Sequence, residues 1–224
     1  MQDFQSGPFE YRAGQHTKLA GQPSIEWSLC YSGKTLAERF VPAPATRGEV
    51  QEAFSDDVTE FKARARTDYA PDRFELIDYE TGDAVAEFFA HNVPDMSPGL
   101  IDDRSRYWVR SANRLRSRPV TLSGFGALTA AHQAPALSWV TGLLPEEVLT
   151  LDAADWRAPT AWEIRHIVGE GSFTGVTGAK AAELVGILPQ NFRKYTAADG
   201  AASRQNMSFA MWHLLLHRLG VQSL

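Results

Sequence analysis

Thr177-Gly-Ala-Lys-Ala-Ala-Glu-Leu-Val-Gly-Ile-Leu-Pro-Gln-Asn-Phe-Arg-Lys-Tyr195 decides the reading of this chain. The stretch predicts one helix over 177–185, a break at Gly186, and a second helix over 189–197 opened by Pro189. Proline suits a first helical position because its missing N–H has no partner there anyway. Ala181 and Ala182 are small where two helices must cross closely, and Gly186 can take a positive φ without a Cβ penalty. Leu184, Ile187, Phe192 and Tyr195 supply an apolar clamp. Gln190, Asn191, Arg193 and Lys194 are left with free polar ends, suited to base edges and phosphates in a major groove.

Outward from this stretch, Thr160 and Glu163 form a capping-box pattern ahead of a helix carrying Trp162, Ile164, Ile167 and Val168. A further helix is expected from near Met207 through Trp212 and Leu219. His213 and His217, four apart, are expected at its polar edge rather than on a metal. Asp152–Pro159 reads as the linker into this region. Residues 160–224 hold six Lys/Arg and four Asp/Glu, a net +2, in a chain of net charge −5, so the remainder carries −7. A polyanion is drawn to the C-terminal part and repelled by much of the rest.

The stretch 177–195 resembles the Cro/C1-type (XRE-like) helix-turn-helix family. Ala182, Gly186, Ile187, Phe192 and Tyr195 fall on the structural positions of that pattern, and Met207–Gly220 is similar to the last helix of phage and plasmid proteins of the group. Gly178 stands where the family has Gln, and Leu188 where it has Ser. The resemblance implies a DNA-binding transcriptional regulator of a mobile element. Double-stranded DNA would be met by Thr177, Gln190, Asn191, Arg193, Lys194 and Arg204, and a homodimer would read paired half-sites. The alternative is a plasmid- or phage-encoded protein that binds or inhibits a protein partner, with these helices as scaffold.

The N-terminal part reads differently. Ile25, Trp27, Leu29 and Tyr31 alternate with polar residues up to the turn Ser32-Gly33-Lys34, and 35–41 returns as a strand. Residues 1–23 read as a polar arm with one short strand around Phe9–Arg12. Thr46-Arg-Gly-Glu49 is a second capping box, followed by the helical stripe Val50, Phe54, Val58, Phe61 and Ala65. A second hairpin is expected over 73–91 around Glu80–Asp83. The fold class is therefore α+β. A hairpin-helix-hairpin domain over 1–93 precedes a connecting region over 94–158 and an all-α helix-turn-helix domain over 159–224.

In the connecting region a helix is expected within 100–118, with Arg106, Arg110 and Arg114 four apart on one face as a patch for phosphates or a partner protein. Pairing within the acidic remainder is the competing reading. Leu143–Glu147 reads as a helix entry. Ser32-Gly33-Lys34-Thr35 lacks the earlier Gly of a phosphate-binding loop, since position 28 is Ser. Ser123-Gly-Phe-Gly126 lacks the Gly of a nucleophile elbow, since position 121 is Thr. No catalytic pair, metal set or cofactor motif stands out, so a non-enzyme is expected. The single cysteine, Cys30, excludes an internal disulfide framework. No run approaches the roughly 18 apolar residues of a membrane span. The N-terminus has no signal-like pattern, and a cytoplasmic location is expected.

Overall fold

The computed structural model describes residues 2–70, 73–78, 80–89, 107–110 and 135–223. The protein is α+β: an N-terminal four-stranded antiparallel sheet is followed by several helices. Contacts group the chain into two units, each discontinuous in sequence. One is Met1–Arg64 with Pro159–Asn206, and the other is Ala65–Ala158 with Met207–Leu224. This grouping differs from the continuous division 1–93, 94–158 and 159–224, because apolar faces far apart in sequence share each core.

The first unit contains a meander of β1 (Phe4–Ser6), β2 (Phe9–Leu19), β3 (Gln22–Tyr31) and β4 (Lys34–Pro42), paired in that order. The β3–β4 hairpin turns at Ser32-Gly33, where both residues have positive φ, the signature of a tight type I′ turn. The polar arm expected over 1–23 is instead β1 and an eleven-residue β2, joined to β3 by a second turn of the same kind at Ala20-Gly21. Ala-Gly carries a weaker turn signal than Asn-Gly. The polar second half of β2 (Gln15, His16, Lys18) hides its strand character, which comes from pairing with β3.

The Thr46–Glu49 capping box is present in full and opens α1 (Arg47–Ala53). The expected single stripe helix is interrupted at Phe54, whose N–H bonds back to Gln51 before α2 (Ser55–Asp68) begins. Val50 and Phe54 are fully buried. Phe54 stacks edge-on against Tyr11, so α1 and its end cover the β2–β3 face that carries Tyr11, Trp27 and Leu29.

The second unit holds a sheet in the order β6 (Ala84–Phe89), β5 (Arg73–Asp78), β7 (Tyr107–Arg110). The expected second hairpin is therefore present. Its turn is held by the Asp78 carboxylate, which accepts from the N–H groups of Glu80 and Thr81 at 2.8 and 2.7 Å, bonds that hold its pKa below the usual value. The helix expected over 100–118 is overturned at Tyr107–Arg110, which pair with β5 as a strand. Tyr-Trp-Val is an aromatic and β-branched run that suits a pleated surface, and β5 offers it a ladder that a short helix lacks. Arg110 thus lies in a strand, and Arg106 and Arg114 fall outside the described residues.

Among the described residues this unit also holds a 3₁₀ turn (Ser138–Leu143), α3 (Glu146–Leu149) and α7 (Phe209–Arg218); α4 (Ala161–Ile167), α5 (Gly178–Leu184) and α6 (Pro189–Thr196) belong to the first unit. Trp212 Nε1 donates to the Val148 carbonyl at 2.7 Å, and Gln222 Nε2 donates to that of Leu149 at 2.8 Å. His213 is not at a polar edge. It is buried between the rings of Phe209 and Trp156, and burial pulls its pKa down, while His217 is exposed. Among the described residues no helix is long and apolar enough to cross a membrane.

Candidate nucleic-acid interface

Three helices of the first unit build the candidate surface: α4 (Ala161–Ile167), α5 (Gly178–Leu184) and α6 (Pro189–Thr196). The Thr160–Glu163 capping box is complete. Thr160 N–H donates to Glu163 Oε2 at 2.7 Å, and Glu163 N–H donates to Thr160 Oγ1 at 3.2 Å. Helix α4 is sunk into the unit, with Ala161, Glu163, Ile164, His166 and Ile167 all buried.

Its anchor is aromatic. His166 Nδ1 lies 3.0 Å from the Trp162 carbonyl, which only accepts, so Nδ1 carries the proton and Tyr31 Oη, 2.9 Å from Nε2, donates to the bare nitrogen. Burial drives the His166 pKa from 6.5 to about 4, so the ring is neutral near pH 7. The rings of Tyr31, Phe61, Trp162 and Phe173 surround it or one another at 4.2–6.3 Å. Trp162 Nε1 also donates to the Pro8 carbonyl at 3.2 Å. This helix thus shares its core with the N-terminal sheet.

The long connection from α4 to α5 has a use in the same packing. Gly171, at φ +76, lies against the β1–β2 turn, where an added Cβ would stand 2.5 Å from Ser6 Oγ and 2.7 Å from the Ser6 carbonyl carbon. Gly7 is as tightly placed against Gly171. Two backbones meet there because neither residue has a side chain.

Thr177 caps α5, its hydroxyl accepting from Lys180 N–H at 3.2 Å. Ala181 and Ala182 are completely buried, as close helix crossing demands. Gly186, at φ +73, ends the helix, and the Ile187 N–H bonds back to the Ala182 carbonyl at 3.0 Å. Helix α6 follows with Pro189 in its first turn and Leu188 as an uncapped N-cap. Phe192 is buried and meets Tyr195 edge-on, at 6.0 Å between centroids.

Gln190, Asn191 and Arg193 are exposed, and Lys194 is half-buried. These four lie together on α6, and Thr177 is exposed at the start of α5. Arg204 does not join them. Its guanidinium donates to the Pro159 carbonyl at 3.0 Å, the Gln205 carbonyl at 2.7 Å, the Tyr195 carbonyl and Asp199 Oδ1 at 3.3 Å. With its side chain 11% exposed, Arg204 is an internal brace that ties the segment after α6 to the start of α4. Its place in a loop signalled nothing of this.

Two residues on the surface escaped the sequence reading. Lys180 is exposed on α5 and pairs with Glu183 at 2.7 Å. Leu188 is 58% exposed at the head of α6. An apolar residue at a turn reads as core until the structure shows nothing closing over it. Compared with known proteins, the chain matches no family model and no curated protein.

Proposed function

We propose that the chain is a DNA-binding regulator of a mobile element, acting by binding rather than catalysis, with α5 and α6 as a helix-turn-helix and α6 as the reading helix. One observation carries this: α6 is held by Phe192 while Gln190, Asn191 and Arg193 project unburied beside it. Amide side chains can bond bidentately to adenine, and Arg can bond to the O6 and N7 of guanine. Lys194 suits a phosphate. A dimer would set two such helices one helical turn apart.

The test is selection of a preferred duplex by the full chain, followed by a salt series. Asn191→Ala and Gln190→Ala should lose roughly 1–3 kcal/mol of discrimination between sites. Lys194→Ala should weaken binding to all duplexes alike and flatten the salt slope by about one contact. Folded variants with unchanged affinity and selectivity would sink the reading.

A second reading rests on Leu188. An exposed leucine beside exposed amides also fits a protein partner, with the helices as scaffold for an interaction or inhibitor protein. Leu188→Ser separates the two: it should leave duplex binding nearly intact under the first reading and weaken partner capture under the second.

A further inference from the structure

The sheet of the first unit is open along β4, as it is along the second half of β2, beyond the reach of β1. β4 pairs with β3 alone, and among the described residues no other backbone group bonds to its far side. Two hollows lie along it. One of about 370 Å³ is lined by Phe40 and Val41 of β4 and by Ala53, Glu49 and Glu52 of α1. The other, about 110 Å³, is lined by Leu36 of β4 and by Asp57, Glu60 and Phe61 of α2. Leu36 is the extra residue of a β-bulge, opposite no residue of β3, and regular pairing resumes at Ala37. Phe40 lies four residues on, at most about 13 Å along the strand, so a single extended segment can still span both hollows.

Charge selects the occupant. Among the described residues lining the hollows, Arg64 is the one cation, against four carboxylates; Asp57 is already paired with Arg39 of β4 at 2.6 Å and Glu49 is held in the Thr46 cap, which leaves Glu52 and Glu60 to a partner. Glu52 and Glu60 are exposed and make no ion pair among the described residues. Phe40 is 50% exposed, the large apolar side chain beside exposed Glu38 and Arg39 on β4. A second copy of this chain fits poorly. Two β4 strands in full antiparallel overlap, centred on the middle of Lys34–Pro42, would set Glu38 opposite its own equivalent, a like-charge pair that disfavours the register.

We propose that this edge binds an extended, basic segment of a partner protein by strand addition. The segment bonds its backbone to β4, seats an apolar side chain beside Phe40 and Ala53, and sets Lys or Arg against Glu52 and Glu60. The site uses none of the α6 residues and stands independently of DNA binding.

The test uses the full chain and a fluorescent, end-blocked nonapeptide, Arg-Thr-Leu-Thr-Lys-Thr-Leu-Thr-Arg. Saturable binding is expected. The same peptide with Glu for every Arg and Lys should bind at least about tenfold more weakly. N-methylation of alternate residues should abolish binding in one frame and spare it in the other, since only one set of amides faces the edge. Phe40→Ser with Glu52→Lys, both exposed positions, should reduce binding by about tenfold with the thermal melt unchanged. Equal binding of the acidic peptide, indifference to both methylation frames, or an unaffected double variant overturns the proposal. So does a wild-type dimer that Phe40→Ser dissolves, which would give the edge to a second copy.

Discussion

Helices α4 and α6 are nearly equal in length and belong to the same unit, yet they bury opposite shares of themselves. Along α4, residues Ala161, Glu163, Ile164, His166 and Ile167 are buried; along α6, Phe192 alone is. Burial of this depth fixes α4 to the sheet through Tyr31 and Pro8, while one aromatic anchor leaves the polar side chains of α6 to solvent. A helix that spends one face on the core and presents the rest is suited to recognition. A helix sunk on most sides is suited to carrying it.

The largest effect expected from this contrast concerns a fragment. Residues 155–224 alone keep α4 but lose Tyr31, Pro8 and the Gly7 contact. The fragment should show no cooperative thermal melt, whereas the full chain should; a sharp, independent transition in the fragment would break the comparison. Next come the anchors themselves. Phe192→Ala should cost about 3–5 kcal/mol and Ile164→Ala about 2–5, measured by denaturant unfolding, while Asn191→Ala stays within roughly 0.5. Equal losses at Phe192 and Asn191 would mean that α6 is packed on both sides.

The buried imidazole gives the contrast a pH signature. Unfolded, His166 takes a proton near pH 6.5; folded, it resists until about 4. Its contribution is therefore complete above 6.5 and is lost as pH falls through that window, by about 3 kcal/mol at the lower end. His166→Gln should flatten stability against pH between 6.5 and 4. Some slope should remain, because burial shifts His213 in the same direction. An unchanged slope would place the proton elsewhere.

The smallest effect separates two identical motifs. Thr46–Glu49 caps an exposed helix start, and Thr160–Glu163 caps one whose Glu is buried. Thr160→Ala should cost about 1–2 kcal/mol and Thr46→Ala nearer 0.5, by parallel melts. A reversed order would show that the cap at Thr160 gains nothing from its burial.

Much of the candidate surface is legible in sequence because its signals are local. Both capping boxes, the Ser32-Gly33 turn, the Gly186 break and the Pro189 start each depend on residues within one turn of chain. The polar set Gln190, Asn191, Arg193 and Lys194 follows from the same spacing. What the pattern misjudged depends on distant partners. Arg204 looks like any loop cation until four acceptors from three segments close on it. His213 looks like a surface residue of an amphipathic helix until Trp156 and Phe209 cover it. Tyr107–Arg110 follows an arginine spacing that suits a helix, but β5 supplies the hydrogen bonds that make it a strand.

The sequence by itself therefore determined the helix starts at Thr46, Thr160 and Thr177, the break at Gly186 and the turn at Ser32-Gly33, since caps, glycines and alternation act over a few residues; β1, the length of β2, the break at Phe54 and the strand at Tyr107–Arg110 it did not. Only the tertiary structure decided which of them share a core. Hydrophobic burial has no direction and no memory of chain order. It joins Tyr31 to His166 across a sequence separation of 135 and leaves α7 with the other unit.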